Sequence, residues 1–134
     1  MTPFRPLIVL VFVALVSGCA GAATPAPAAA TPDAVAISFV TALGAWDEPT
    51  LRRIAITDAN LPIRLETSRS EWRGWTNGVL GPQQRVEVTE STVREDLATL
   101  VVRSIHASGE SGVRLSLRRV AGDWRVEAWH SYRP

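Results

Sequence analysis

The spacing of apolar residues changes character along the chain. Leu7 to Val16 is an unbroken apolar run, and residues 20–32, AGAATPAPAAATP, show no periodicity. Ala36, Phe39, Val40, Leu43 and Trp46 then fall at i, i+3, i+4, i+7 and i+10, the spacing of one helix face. Thr31-Pro32-Asp33 supplies that helix with an N-cap, a proline at its first position and an early acid. Asp47-Glu48-Pro49 repeats the start signal, and Leu51, Ile54 and Ala55 give a second helix its apolar face. Asp58-Ala-Asn-Leu-Pro62 reads as a break. Ser68-x-x-Glu71 reads as a capping box for a short third helix, which carries Trp72 and Trp75 and stops near Gly78.

Beyond Gly78 the period becomes two. Val86 and Val88 alternate with Arg85 and Glu87, and Leu97 to Ala107 is a β-branched run. Val113, Leu115 and Leu117 alternate with Arg114, Ser116 and Arg118. In the last run Trp124, Val126, Ala128, His130 and Tyr132 fall on one face, with Arg125, Glu127, Trp129 and Ser131 on the other. The breaks between runs are too short for parallel crossovers, which need a dozen residues or more, so neighbouring strands are antiparallel. The expected class is α+β: two to three N-terminal helices packed on one face of a curved four-stranded antiparallel meander.

Composition separates the N-terminus from this domain. The ten residues Leu7–Val16 would span about 15 Å as a helix, half of a bilayer core of roughly 30 Å. They suit the h-region of a signal peptide, preceded by Arg5 and followed by Ser17, Gly18 and Cys19. Residues 20–32 have no large side chain to bury and read as a tether. Residues 33–134 form one domain with all five Trp, both His, all 13 acids and every Arg but Arg5, so it is formally neutral. All 14 basic residues are Arg. This balance argues against a nucleic-acid partner. The single Cys excludes an internal disulfide and a Cys-rich zinc site, and two His 24 residues apart make no case for a metal. Nothing calls for a cofactor.

Val16-Ser17-Gly18-Cys19 resembles the lipobox of bacterial lipoprotein signal peptides. The resemblance implies removal of residues 1–18 and a diacylglyceryl group on Cys19, since stable anchoring takes more than one acyl chain. It places the domain on the extracytoplasmic side of the cell membrane or the outer membrane. The partners this implies are the membrane itself and an envelope protein or small ligand.

The opening helix with its Phe39-Val40-x-x-Leu43 stripe, the Asp47-x-x-x-Leu51-Arg-Arg-Ile-Ala segment and the closing Gly122-Asp-Trp-Arg-Val126 resemble the nuclear transport factor 2-like (NTF2-like), cone-shaped α+β superfamily. Its members include acid–base enzymes as well as proteins that only bind, and fold alone does not choose between them. The enzyme alternative is an isomerase, hydratase or hydrolase using Asp47 and His130 as an acid–base pair in the cone. Against it, Asp47 is fully explained as a helix cap, and no hydrolase or phosphate-loop motif is present. His106, beside a Gly-rich turn, is expected to be exposed. Trp46, Trp72 and Trp124 fit apolar stripes and are assigned to the core. Trp75 and Trp129 are candidate binding residues with Arg125, since exposed Trp beside Arg marks many interface hot spots. For Trp129 an equal alternative is packing against an edge or under the tether. The residues favour non-catalytic binding of a protein or ligand over catalysis.

Overall fold

The structure, a computed structural model, describes residues 30–134. The expected signal peptide, Cys19 and tether residues 20–29 lie outside the described residues. Helix α1 (Pro32–Ala45) starts where its cap predicts, with Thr31 Oγ1 accepting from the Ala34 N–H. It buries Val35, Ala36, Phe39, Val40, Ala42 and Leu43 and touches all four strands of the sheet. Trp46 ends it in the left-handed conformation, φ 49°.

Helix α2 (Glu48–Ile54) is capped by Asp47, whose carboxylate accepts from the Thr50 hydroxyl at 2.6 Å and the Thr50 N–H at 3.3 Å. These bonds, the hydroxyl first, hold the Asp47 carboxyl below its ordinary value of 3.8, with Arg53 adding to them and slight burial opposing. A lowered folded-state pKa means the cap's contribution is complete above 3.8 and is lost as pH falls through the lower folded value. In urea titrations across acid pH, Asp47→Asn should therefore lose part of the wild type's decline below 3.8. Identical acid limbs would show that the carboxylate is not coupled to folding.

Helix α3 (Leu61–Glu71) corrects the expected third helix. It begins ten residues before Glu71, and Ser68 is buried inside it rather than capping it. The supposed break is the helix start, because Pro62 in a first turn costs no hydrogen bond. The helix continues as a π-helical turn, Trp72–Thr76, and a last turn α4 (Asn77–Leu80). Wider π turns occur mostly as single insertions, often at functional sites.

Strands β1 (Gln83–Arg94), β2 (Leu97–His106), β3 (Gly109–Val120) and β4 (Asp123–Tyr132) form the antiparallel meander in the order β1-β2-β3-β4. Ala98, Leu100 and Val102 of β2 face Val113, Leu115 and Leu117 of β3 on the side that α1 covers, and Trp72 and Phe39 complete this core. Past α2 the chain runs beside β4, with the Ile56 N–H donating to the Val126 carbonyl at 2.8 Å.

Strand β4 departs from strict alternation. Ser116 pairs with Ala128 and Leu117 with Val126, so Glu127 is an extra residue in a β-bulge. Before it Trp124 and Val126 are buried; after it the inward positions are Trp129 and Ser131. Arg64 of α3 secures the bulge: its Nη1 donates to the Glu127 carbonyl at 2.7 Å and its Nη2 to Asp58 at 2.9 Å.

Candidate functional site

The bulge moves two of the candidate residues. Trp129 turns inward, meets Phe39 edge-on at 5.0 Å between ring centres, and donates from Nε1 to Ser68 Oγ at 2.7 Å. The Arg64 guanidinium lies over its other part, 4.9 Å from the ring centre. Trp129 is thus packed against the core and is not a surface anchor. His130 is exposed on the opposite face beside Ala128, not inward with Trp124 and Val126 as alternation predicted. Asp47 is exposed and engaged with Thr50. The structure shows no contact between Asp47 and His130, and the cone interior that would have joined them holds Phe39, Trp72 and Trp129.

Arg125 and Trp75 are also engaged. Arg125 Nη1 donates to the Arg53 carbonyl at 2.7 Å, and Trp75 is half-buried under Arg133, 4.4 Å from its ring centre. Trp129 and Trp75 border adjoining clefts of about 200 and 290 Å³ that share Glu71 and Ser131, while Arg125 borders a different cleft of about 330 Å³. Arg125 therefore does not share a surface with the two tryptophans.

His106 is buried, contrary to the expectation of exposure. Its Nδ1 lies 2.8 Å from the Gly81 carbonyl, which can only accept, so Nδ1 carries the proton. Nε2 then accepts from the Ser104 hydroxyl at 2.9 Å, whose oxygen accepts from Gln83 Nε2 at 2.8 Å. Gln83 Nε2 also donates to the Val40 carbonyl at 3.1 Å, linking this chain to α1. Gly44 permits the approach, since a Cβ there would lie 2.5 Å from the Gln83 amide.

The arrangement with the most open chemistry lies at the C-terminal end of α1. A cleft of about 540 Å³ opens between Leu43–Trp46 and the stretch of α3 and the π turn holding Arg69, Trp72, Arg73 and Asn77. Its volume lies within the roughly 300–1,000 Å³ of small-molecule sites. Two buried polar atoms of residues lining it have no partner: the Trp46 indole N–H and Asn77 Oδ1. The Asn77 amide nitrogen is used, donating to the Gly44 carbonyl at 2.8 Å. Arg69 and Arg73 are exposed and form no ion pair among the described residues. Trp46 holds a left-handed backbone that glycine or asparagine usually takes at a helix end, a strained choice that commonly marks a site. No carboxylate, imidazole, thiol or hydroxyl side chain lines this cleft.

Sequence reasoning placed Trp46 and Trp72 in the core and passed over Arg69, Arg73 and Asn77. The spacing Arg69, Trp72, Arg73, Asn77 is itself one helix face, and it carried the signal. Among the described residues, no helix is long and apolar enough to cross a membrane, and no group of three or more His, Cys, Asp or Glu is placed to hold a metal.

No protein-family model matches the chain. No curated protein matches it by sequence. Solved structures do resemble it. One is a Campylobacter jejuni protein provisionally named an NTF2-like transpeptidase, with TM-score 0.61 and 15% identity, covering 74% of this chain and 99% of that one. Another, from Thiobacillus denitrificans, is provisionally named a calcium/calmodulin-dependent protein kinase type II association domain, with TM-score 0.60 and 16% identity, covering 79% and 97%. A third is an NTF2-like protein of unknown function from Silicibacter pomeroyi, with TM-score 0.51 and 15% identity, covering 74% and 91%.

Proposed function

We infer that the NTF2-like fold, a likeness in architecture alone, leaves function to be read from the site. We propose that the chain is a cell-envelope lipoprotein, anchored through Cys19, whose domain binds a ligand without catalysing a reaction. The observation that carries the binding part is the cleft between the end of α1 and the π turn. It combines the half-exposed Trp46 ring with Arg69 and Arg73, which have no ion-pair partner among the described residues, and its lining has no side chain suited to acid–base or nucleophilic work. A ligand is favoured over a protein partner because Trp129, which the sequence left open between a surface anchor and a packed ring, is packed inward. The layout suits a tethered protein. The tether joins α1 at Pro32, and the cleft lies at the other end of this helix, about 20 Å away for 14 residues. An anchor at Cys19 would leave the cleft on the end remote from the point of attachment.

Anchoring is tested by growing the bacterium expressing the full chain with labelled palmitate. The wild type should carry label and sediment with membranes, and Cys19→Ala should carry none. Label retained in Cys19→Ala would refute the anchor without touching the cleft.

A further inference from the structure

We propose that the cleft between α1 and the π turn recognises an organic anion with an apolar body, held by Arg69 and Arg73 against the Trp46 ring. This rests on the ligand-binding reading and adds the chemical class of the ligand. The cleft's unpaired donors point to an acceptor-rich, negatively charged group. Arg69 and Arg73 lie four residues apart beside the cleft, both are exposed with no ion-pair partner among the described residues, and no carboxylate lines it. Guanidinium forks hold carboxylate-like groups with two parallel bonds.

The end of α1 would ordinarily oppose an anion through its free carbonyls. Here three of the last four carbonyls are occupied. The Ala42 carbonyl accepts from the Asp47 N–H at 2.9 Å, that of Leu43 from the Trp46 N–H at 3.3 Å, and that of Gly44 from Asn77. The Asn77 amide nitrogen thereby satisfies the Gly44 carbonyl, one of these three. The half-exposed Trp46 ring and Ala45 supply the apolar surface, in a volume far larger than an inorganic anion fills. An inorganic ion would leave this surface wet, so the expected ligand is an anion joined to a hydrocarbon or aromatic body.

The π turn makes this placement possible. Trp72 is buried on the core side while Arg73, the next residue, remains exposed at the cleft. A helical bond from the Asn77 N–H to the Trp72 carbonyl closes the wide turn and sets Asn77 against Gly44.

The test uses three probes with one apolar body and different charge: naphthaleneacetate, its amide and the corresponding amine. Each is titrated calorimetrically into the full chain in detergent, with detergent alone as the reference. The acetate should bind at least about tenfold tighter than the amide, equivalent to ~1.4 kcal/mol, with the amine weakest. Arg69→Gln and Arg73→Gln should each remove most of that preference and leave amide affinity unchanged. Arg94→Gln, on the remote β1–β2 hairpin, should change nothing. Equal binding of all three probes would overturn the anion assignment and leave a ligand cleft standing. No binding by any probe would overturn both. Loss of amide binding together with acetate binding in the Arg variants would assign them to shaping the cleft and overturn their role as anion donors.

Discussion

Trp72→Ala should cost about 3–5 kcal/mol of stability, the usual range for deleting a buried large aromatic side chain. The ring is 1% exposed and sits where α3, α1 and the sheet meet. Its Nε1 donates to Ser131 Oγ at 3.2 Å, and its centre is 6.0 Å from that of His106. Against a total of roughly 5–15 kcal/mol, that loss leaves the folded state marginal. The measurement is a urea titration of the full chain followed by near-ultraviolet circular dichroism, with the slope compared between variants. Trp72→Phe should cost less, about 1–2 kcal/mol, because it keeps most of the ring but strands the Ser131 hydroxyl. Trp75→Ala, three residues on, should cost under about 1 kcal/mol, since that ring is only half-buried. Equal costs at Trp72 and Trp75 would contradict the outward turn that the π segment gives Trp75.

His106→Leu is the second large effect. Leucine fills much of the volume but makes neither hydrogen bond of the imidazole. The Ser104 O–H would lose its acceptor, while its oxygen keeps Gln83 Nε2, and the Gly81 carbonyl would lose its donor, in a site where His106 is 3% exposed. A stranded buried polar group costs about 1–3 kcal/mol, so a total of ~2–4 kcal/mol is expected. The consequence should spread through Gln83 to α1, because Gln83 bonds both Ser104 and the Val40 carbonyl. Amide hydrogen exchange should show faster opening of α1 near Val40 than in wild type. A stable variant with unchanged exchange would show that this chain of bonds joins nothing.

Much of the fold is legible because its signals are local. Thr31 and Asp47 act as caps through contacts three residues away, so the starts of α1 and α2 follow from short stretches of sequence. The meander follows from alternation and short turns. The third helix was misread because Pro62 ends a helix in some settings and opens one in others. Here Leu61 begins the helix, and Pro62 falls in its first turn. Its local residues do not settle that choice.

The candidate site was less legible. The period-two pattern of β4 persists through Glu127, so it puts His130 on the inner face and Trp129 on the other, as either a surface anchor or a ring packed at an edge. The pairing with β3 inserts Glu127 as a bulge and reverses both. What holds that bulge is Arg64, 63 residues away, on the Glu127 carbonyl. The glycines beside His106 suggest exposure, yet the chain around Gly81 covers it and the Gly81 carbonyl accepts its Nδ1–H hydrogen bond.

By itself the sequence determined the caps of the first two helices, the alternation of four strands and the contrast in composition between residues 1–32 and the formally neutral residues 33–134. Each of these depends on residues within a few positions of one another. Only the tertiary structure decided which face Trp129 and His130 occupy, that His106 is buried, and that Arg69, Arg73, Trp46 and Asn77 share one cleft. Those outcomes depend on contacts between elements far apart in the chain, where one extra residue in a strand or a helix turn redirects every side chain that follows.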